Sequence, residues 1–203
     1  MKRRTLDIIF AVGGLLVALL ILVLGLVLQN QANFAKDYVH NQLAEQKISF
    51  TPAQFLKADE NNPCLKKYAS KPLVTGKQAE CYANHYIGVP VTLINHGKTY
   101  AETSTDARNL DTQLAAMPDQ HSAAAKKLAA QAQALHGEAT TLFQGETLRG
   151  LLLTSYGFSI FGERAQQAAD VCFALVLVLL LAAIAGFVHA ATKKADHVIL
   201  SEA

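Results

Sequence analysis

The stretch Ile8–Leu28 reads IIFAVGGLLVALLILVLGLVL, and Val171–Val188 reads VCFALVLVLLLAAIAGFV. Neither contains a charge. A bilayer core takes roughly 20 apolar residues of helix, with about 17–25 tolerated. Both runs meet that length, and both are apolar all round, unlike the one-sided helices of a soluble core. The reading that decides the fold is therefore two transmembrane helices.

The first run opens on basic residues (Lys2, Arg3 and Arg4), as a signal peptide does. Cleavable apolar regions are shorter, about 7–15 residues, and end in a small-x-small site. This run leads instead into Gln29, Asn30, Gln31 and Ala32, so an uncleaved anchor is expected. Basic residues flanking a span stay in the cytoplasm. Lys2, Arg3 and Arg4 mark one end, and Lys193 and Lys194 the other. Two spans require both ends on one side, and the two flanks agree.

The expected organisation follows. Residues 1–7 form a cytoplasmic tail, 8–28 the first span, 29–170 an extracytoplasmic helical domain, 171–191 the second span, and 192–203 a second cytoplasmic tail. The fold class is all-α, with two transmembrane helices flanking a mainly helical domain outside a plasma membrane. The lipid bilayer is the first partner this implies.

Charge excludes nucleic acid as a partner. The chain carries a net +2. Between Gln29 and Asp170, 13 Lys and Arg face 13 Asp and Glu, so there is no basic footprint. Cys64 and Cys81 fall in the outer segment, where disulfides form. Closing so short a loop stabilises by about 3 kcal/mol where geometry permits. Two buried thiols are the alternative. Cys172, at the mouth of the second span, reads as a lipid-facing or helix-packing residue, with an intermolecular bridge the other option.

Between the spans the signals are helical. Phe34, Tyr38 and Leu43 extend the first span outward to about Gln46. Thr51 with Gln54, and Thr75 with Gln78, are capping boxes, and Pro52 takes a first helical position. Asn62-Pro63 starts a short helix, and Gly76 to Ile87 is expected as another. Val89 to Ile94 is β-branched but interrupted by Pro90, and reads as irregular or helical. Helices are expected over Asp106 to Met117 and Gln120 to Phe143, the latter with Leu128, Leu135 and Leu142 every seventh residue.

Leu148 to Phe161 reads LRGLLLTSYGFSIF: apolar, aromatic and too short to span. It is either the core of the outer domain or an interface, lipid-facing or docked on a partner. Leu148, Leu151, Leu152, Tyr156, Phe158 and Phe161 are its candidate interface residues.

Motifs for chemistry are absent. The spans hold no ionisable group at bilayer depth, which a transport path needs. Gly14 with Ala18, and Ala182 with Gly186, are small pairs that suit close helix packing. His40, His85, His96, His121 and His136 show no metal-ligand spacing and no HExxH. There is no G-x-S-x-G, and Thr75-Gly76-Lys77 lacks the glycines and strand of a phosphate loop. No catalytic residue, metal or cofactor is assigned, and the balance leans against an enzyme.

Two stretches, TGKQAECYANHYIGV (Thr75–Val89) and FQGETLRGLLLTSYGFSIFG (Phe143–Gly162), carry a resemblance. With a span at each end, the chain resembles an uncharacterised actinobacterial family of two-transmembrane-helix membrane proteins. The resemblance covers most of the chain and implies a shared architecture and a Gram-positive-type envelope. It supplies no activity. Valine in place of Cys81 in some members would make the disulfide optional.

The expected function is an accessory or scaffolding subunit of a membrane complex, with a membrane-protein partner or self-association. An extracytoplasmic sensor or ligand-binding module is the alternative, and an envelope enzyme or lipid-handling factor the third class.

Overall fold

The computed structural model describes residues 3–57 and 62–192. It is mostly helical, and the described residues form no strand. The helices are α1 (Arg3–Glu45), α2 (Pro63–Tyr68), α3 (Gly76–Cys81), α4 (Gly88–Leu93), α5 (Tyr100–Ala115) and α6 (Ala123–Thr192). Helices α1 and α6 are each long and apolar enough to cross a membrane, and only 17% of each apolar window is buried. A soluble core helix would be mostly buried.

The chain divides into two compact units, one of Met1–Asp37 with Ile160–Ala203, the other of Tyr38–Ser159. In the first, two helix segments run antiparallel along a seam of small residues. Ala11, Ala18, Gly25 and Ala32 are buried at every seventh residue of α1. Gly162, Ala169, Val176, Ala183 and Ala190 are buried at every seventh residue of α6. A Cβ added to Gly25 would stand 3.1 Å from Cys172 Cβ, and one on Gly186 3.3 Å from Ala11 Cβ. Helices this close pack by van der Waals contact between small side chains. A strict seven-residue repeat keeps the seam facing its mate through a left-handed supercoil. The seam takes Ala18 and Gly186 from the expected small pairs and leaves Gly14 with open space around it. Cys172 faces the neighbouring helix at Gly25, the helix-packing option.

Each end of this hairpin carries a polar bridge. Gln29 and Gln166 exchange amide hydrogen bonds of 2.7 Å, and Gln166 also donates to Asp170 at 2.9 Å. At the other end His189 Nε2 lies 3.9 Å from an Asp7 oxygen. From Asp7 to Gln29 the helix rises about 33 Å at 1.5 Å per residue.

In the second unit α6 is the spine, and the chain climbs down it in order. Gly76 packs beside Ser159, Gly88 beside Arg149, and Gly145 of α6 beside Val91. Tyr100 then stacks at 5.5 Å on Phe143, and Asp111 meets His136 at 2.8 Å. The core gathers Val39, Leu43, Phe50, Leu65, Leu73, Ala79, Cys81, Ala83 and Leu152.

Local signals explain most elements. Asn62 caps α2 by accepting from the Cys64 N–H at 2.9 Å, with Pro63 at the first position. Thr75 and Gln78 close the expected capping box on α3. The helix expected over Gly76 to Ile87 is α3 followed by a wide π-helical turn, Tyr82–Ile87. Helix α5 starts at Tyr100, six residues before Asp106, because Thr99 and Glu102 form another capping box. The Thr51–Gln54 box does not form: only a 3₁₀ turn, Ala53–Phe55, follows, and Thr51 Oγ1 donates instead to Tyr86 Oη at 3.3 Å. Ile48 and Phe50 pair briefly with Leu73, Ser70 and Lys71 through backbone hydrogen bonds of 2.9–3.2 Å. The Leu128–Leu135–Leu142 row has a buried companion in Ala125, Ala132 and Ala139.

Candidate functional site

The stretches 75–89 and 143–159 meet in the second unit. Gly76 lies so close to α6 that any Cβ there would collide with the Ser159 side chain. Ser159 turns its own hydroxyl back to the Tyr156 carbonyl at 2.7 Å. Ten residues back along α6, about 15 Å, a Cβ on Gly88 would stand 3.3 Å from Arg149 Nε. Arg149 spreads between Glu146, 3.4 Å away, and Asn84 Oδ1, 3.5 Å away, while its Nε is buried without a hydrogen-bond partner. The glycines bring helix backbones together.

Beside this contact stands an aromatic cluster. Phe50 packs at 5.4 Å on Tyr68 and 5.3 Å on Tyr82, and Tyr82 at 4.4 Å on Tyr86. Cys64 and Cys81 lie at disulfide distance here, with Cα atoms 6.1 Å apart, tying α2 to α3. Asn62, which caps α2, also has its Nδ2 3.1 Å from His85 Nδ1 on the π turn.

The candidate interface residues part company. Leu152 is buried, 3% exposed, within the core. Tyr156 is half-buried against Gly76. Leu148, Leu151 and Phe158 are exposed to 40%, 63% and 37%, with Tyr38 packed edge-on against Phe158 at 5.5 Å. Phe161, 75% exposed, belongs to the first unit. Nine residues separate it from Asp170, about 14 Å along the helix.

An open groove of about 380 Å³ is lined by Lys98, Ala101, Glu102, Thr105 and Asp106. Its charges are already engaged. Hydrogen bonding to Asp106, then that residue's charge, holds the Lys98 ammonium above its ordinary value. The Thr99 backbone N–H and hydroxyl hold the Glu102 carboxyl below its ordinary value. Among the described residues no group of three or more His, Cys, Asp and Glu stands close enough to hold a metal ion. His136 is engaged by Asp111 and His85 by Asn62.

No protein-family model, curated protein or solved structure matches this chain.

Proposed function

We propose that this chain is an integral plasma-membrane protein with two spans, both termini in the cytoplasm and the Tyr38–Ser159 unit outside, acting as an accessory or scaffolding subunit. The family resemblance to two-span actinobacterial membrane proteins belongs to the same proposal.

The span reading is supported by the two polar bridges. About 33 Å of helix between them compares with a hydrocarbon core of about 30 Å. Between them the large exposed side chains are Leu, Val, Ile and Phe, while the seam is closed mostly by small residues. A hairpin closed on itself, with no ionisable group at bilayer depth, anchors; it does not conduct. Of the basic flanks that orient it, Lys2, Lys193 and Lys194 lie outside the described residues.

The observation that carries the scaffolding role is the exposed Leu148, Leu151 and Phe158 row on α6, outside the apolar windows. Contiguous exposed apolar surface marks interaction sites. Purification of the C-terminally tagged chain in a gentle detergent, followed by mass spectrometry, tests it. A stoichiometric membrane protein in the eluate is the expected result. A chain that elutes without a partner protein contradicts it.

A further inference from the structure

We propose that the contact between Asn62 and His85 is an acid-sensitive latch. It holds the capped end of α2 to the π turn, Tyr82–Ile87, while the imidazole is neutral, and lets go when the ring takes a proton. The inference stands on the Tyr38–Ser159 unit alone and is independent of which side of a membrane that unit faces.

The chemistry starts at the cap. Asn62 uses its side-chain oxygen on α2, where Oδ1 accepts from the Cys64 N–H at 2.9 Å. That bond fixes the amide, because a flipped Nδ2 would face the Cys64 N–H donor to donor. The Nδ2 group therefore faces His85 Nδ1, 3.1 Å away. A donor there needs an acceptor, and only an imidazole with a bare Nδ1 supplies one. His85 is thus held as the neutral ring with its proton on Nε2. A protonated ring carries N–H at both nitrogens. Whichever way the Asn62 amide then turns, one of its two bonds is lost. In the present orientation it is the bond to His85; in the flipped one it is the bond to Cys64.

The latch sits where its loss is felt. A π-helical turn is a rare form, and this one is held from outside itself. Thr51 Oγ1 donates to Tyr86 Oη at 3.3 Å, Arg149 reaches Asn84 Oδ1 at 3.5 Å, and Asn62 holds His85. Helix α2 has six residues and leans on its cap. Cys64 and Cys81, at disulfide distance, keep α2 beside the turn when the latch opens. His85 is half-buried, so water reaches it. The elements around the turn carry Lys66 and Lys67 on α2, Lys77 and Glu80 on α3, and Glu146 and Arg149 on the adjoining stretch of α6; α4 carries no charge. Among the described residues no ion pair involves His85, whereas His136 has Asp111. Asp59 and Glu60 lie outside the described residues. Histidine rings take up a proton at about pH 6.5. The bond belongs to the neutral ring, so its contribution is present above that range and lost as pH falls through it.

The test is amide hydrogen exchange of the full chain in detergent, read over Cys64 to Tyr68 at about pH 7.5 and about pH 5 and corrected for intrinsic exchange rates. Protection should fall about fivefold on acidification, as for the loss of one hydrogen bond. His85→Asn places an uncharged oxygen acceptor where Nδ1 stood and should abolish the fall. Asn62→Asp keeps one oxygen for the Cys64 N–H and turns a second acceptor toward the ring. Protonation then completes the bond, and protection should rise on acidification instead. Asp59→Asn combined with Glu60→Gln should leave the fall in place. No fall in the native chain overturns the proposal. So does the same fall in His85→Asn or in Asn62→Asp, or its disappearance with the Asp59 and Glu60 changes.

Discussion

At the scale of single residues, small side chains decide where helices meet. Gly76 touches α6 where a methyl group would not fit. Gly76→Ala should destabilise by about 1–3 kcal/mol, the usual effect of overpacking. Gly137 lies in the same helix as Ser159 with nothing within 4 Å of a Cβ. Gly137→Ala should therefore stabilise by about 0.5–1 kcal/mol, from reduced backbone freedom in the unfolded chain. Chemical denaturation of the two purified variants checks the opposite signs. Leu152, 3% exposed, and Ala124, exposed, give a second contrast. Leu152→Arg places an uncompensated charge in the core and should abolish stable folding; Ala124→Arg should be tolerated, as judged by yield and a monodisperse elution profile.

The disulfide belongs to this scale too. Helices α2 and α3 have six residues each, too short to stand alone. Cys64 and Cys81 link them. Both thiols should resist alkylation in the intact protein until a reductant is added, with Cys172→Ser as background. Labelling without reductant would show two free thiols.

At the scale of elements, caps set the boundaries, and one cap makes a pH prediction. Glu102 closes the N-terminal box of α5, and its carboxyl is depressed by the Thr99 N–H and hydroxyl. A depressed carboxyl contributes stability that is present above the unfolded value, about 4.3, and is lost as pH falls through the folded value. Lys98, raised by Asp106, works in the opposite sense: its contribution is lost as pH rises through the folded value, above about 10.4. Amide protection factors over residues 100–105 should therefore fall on acidification below about pH 4. Glu102→Gln should remove that dependence; an unchanged profile in the variant would sever the link to Glu102.

The elements also show what was legible in the sequence. Asn62-Pro63 and Thr75–Gln78 announced α2 and α3 because a cap is a local device, satisfied within four residues. Thr51–Gln54 carried the same signature and misled, because Thr51 found Tyr86, a partner 35 residues away. Thr99–Glu102 is equally local, and it moves the start of α5 from the expected Asp106 to Tyr100. The seam of Ala11, Ala18, Gly25 and Ala32 was invisible for another reason. Inside an all-apolar run polarity offers no contrast, and the packed side is chosen by size alone. The meeting of Gly76 with Ser159 had no signal at all: it joins residues far apart in the chain through bare backbone. The row of Leu148, Leu151 and Phe158 stood out as apolar, but which members face inward depends on where α3 and α4 lie on α6.

At the scale of the whole molecule, we propose a membrane hairpin that presents the Tyr38–Ser159 unit outside the cell. The most direct test is labelling of intact cells with a membrane-impermeant maleimide, in a Cys172→Ser background. Ser122→Cys, in the turn before α6, should label in intact cells. Ala203→Cys should label only after the cells are opened. Labelling of Ala203→Cys from outside, or protection of Ser122→Cys in intact cells, would contradict the hairpin.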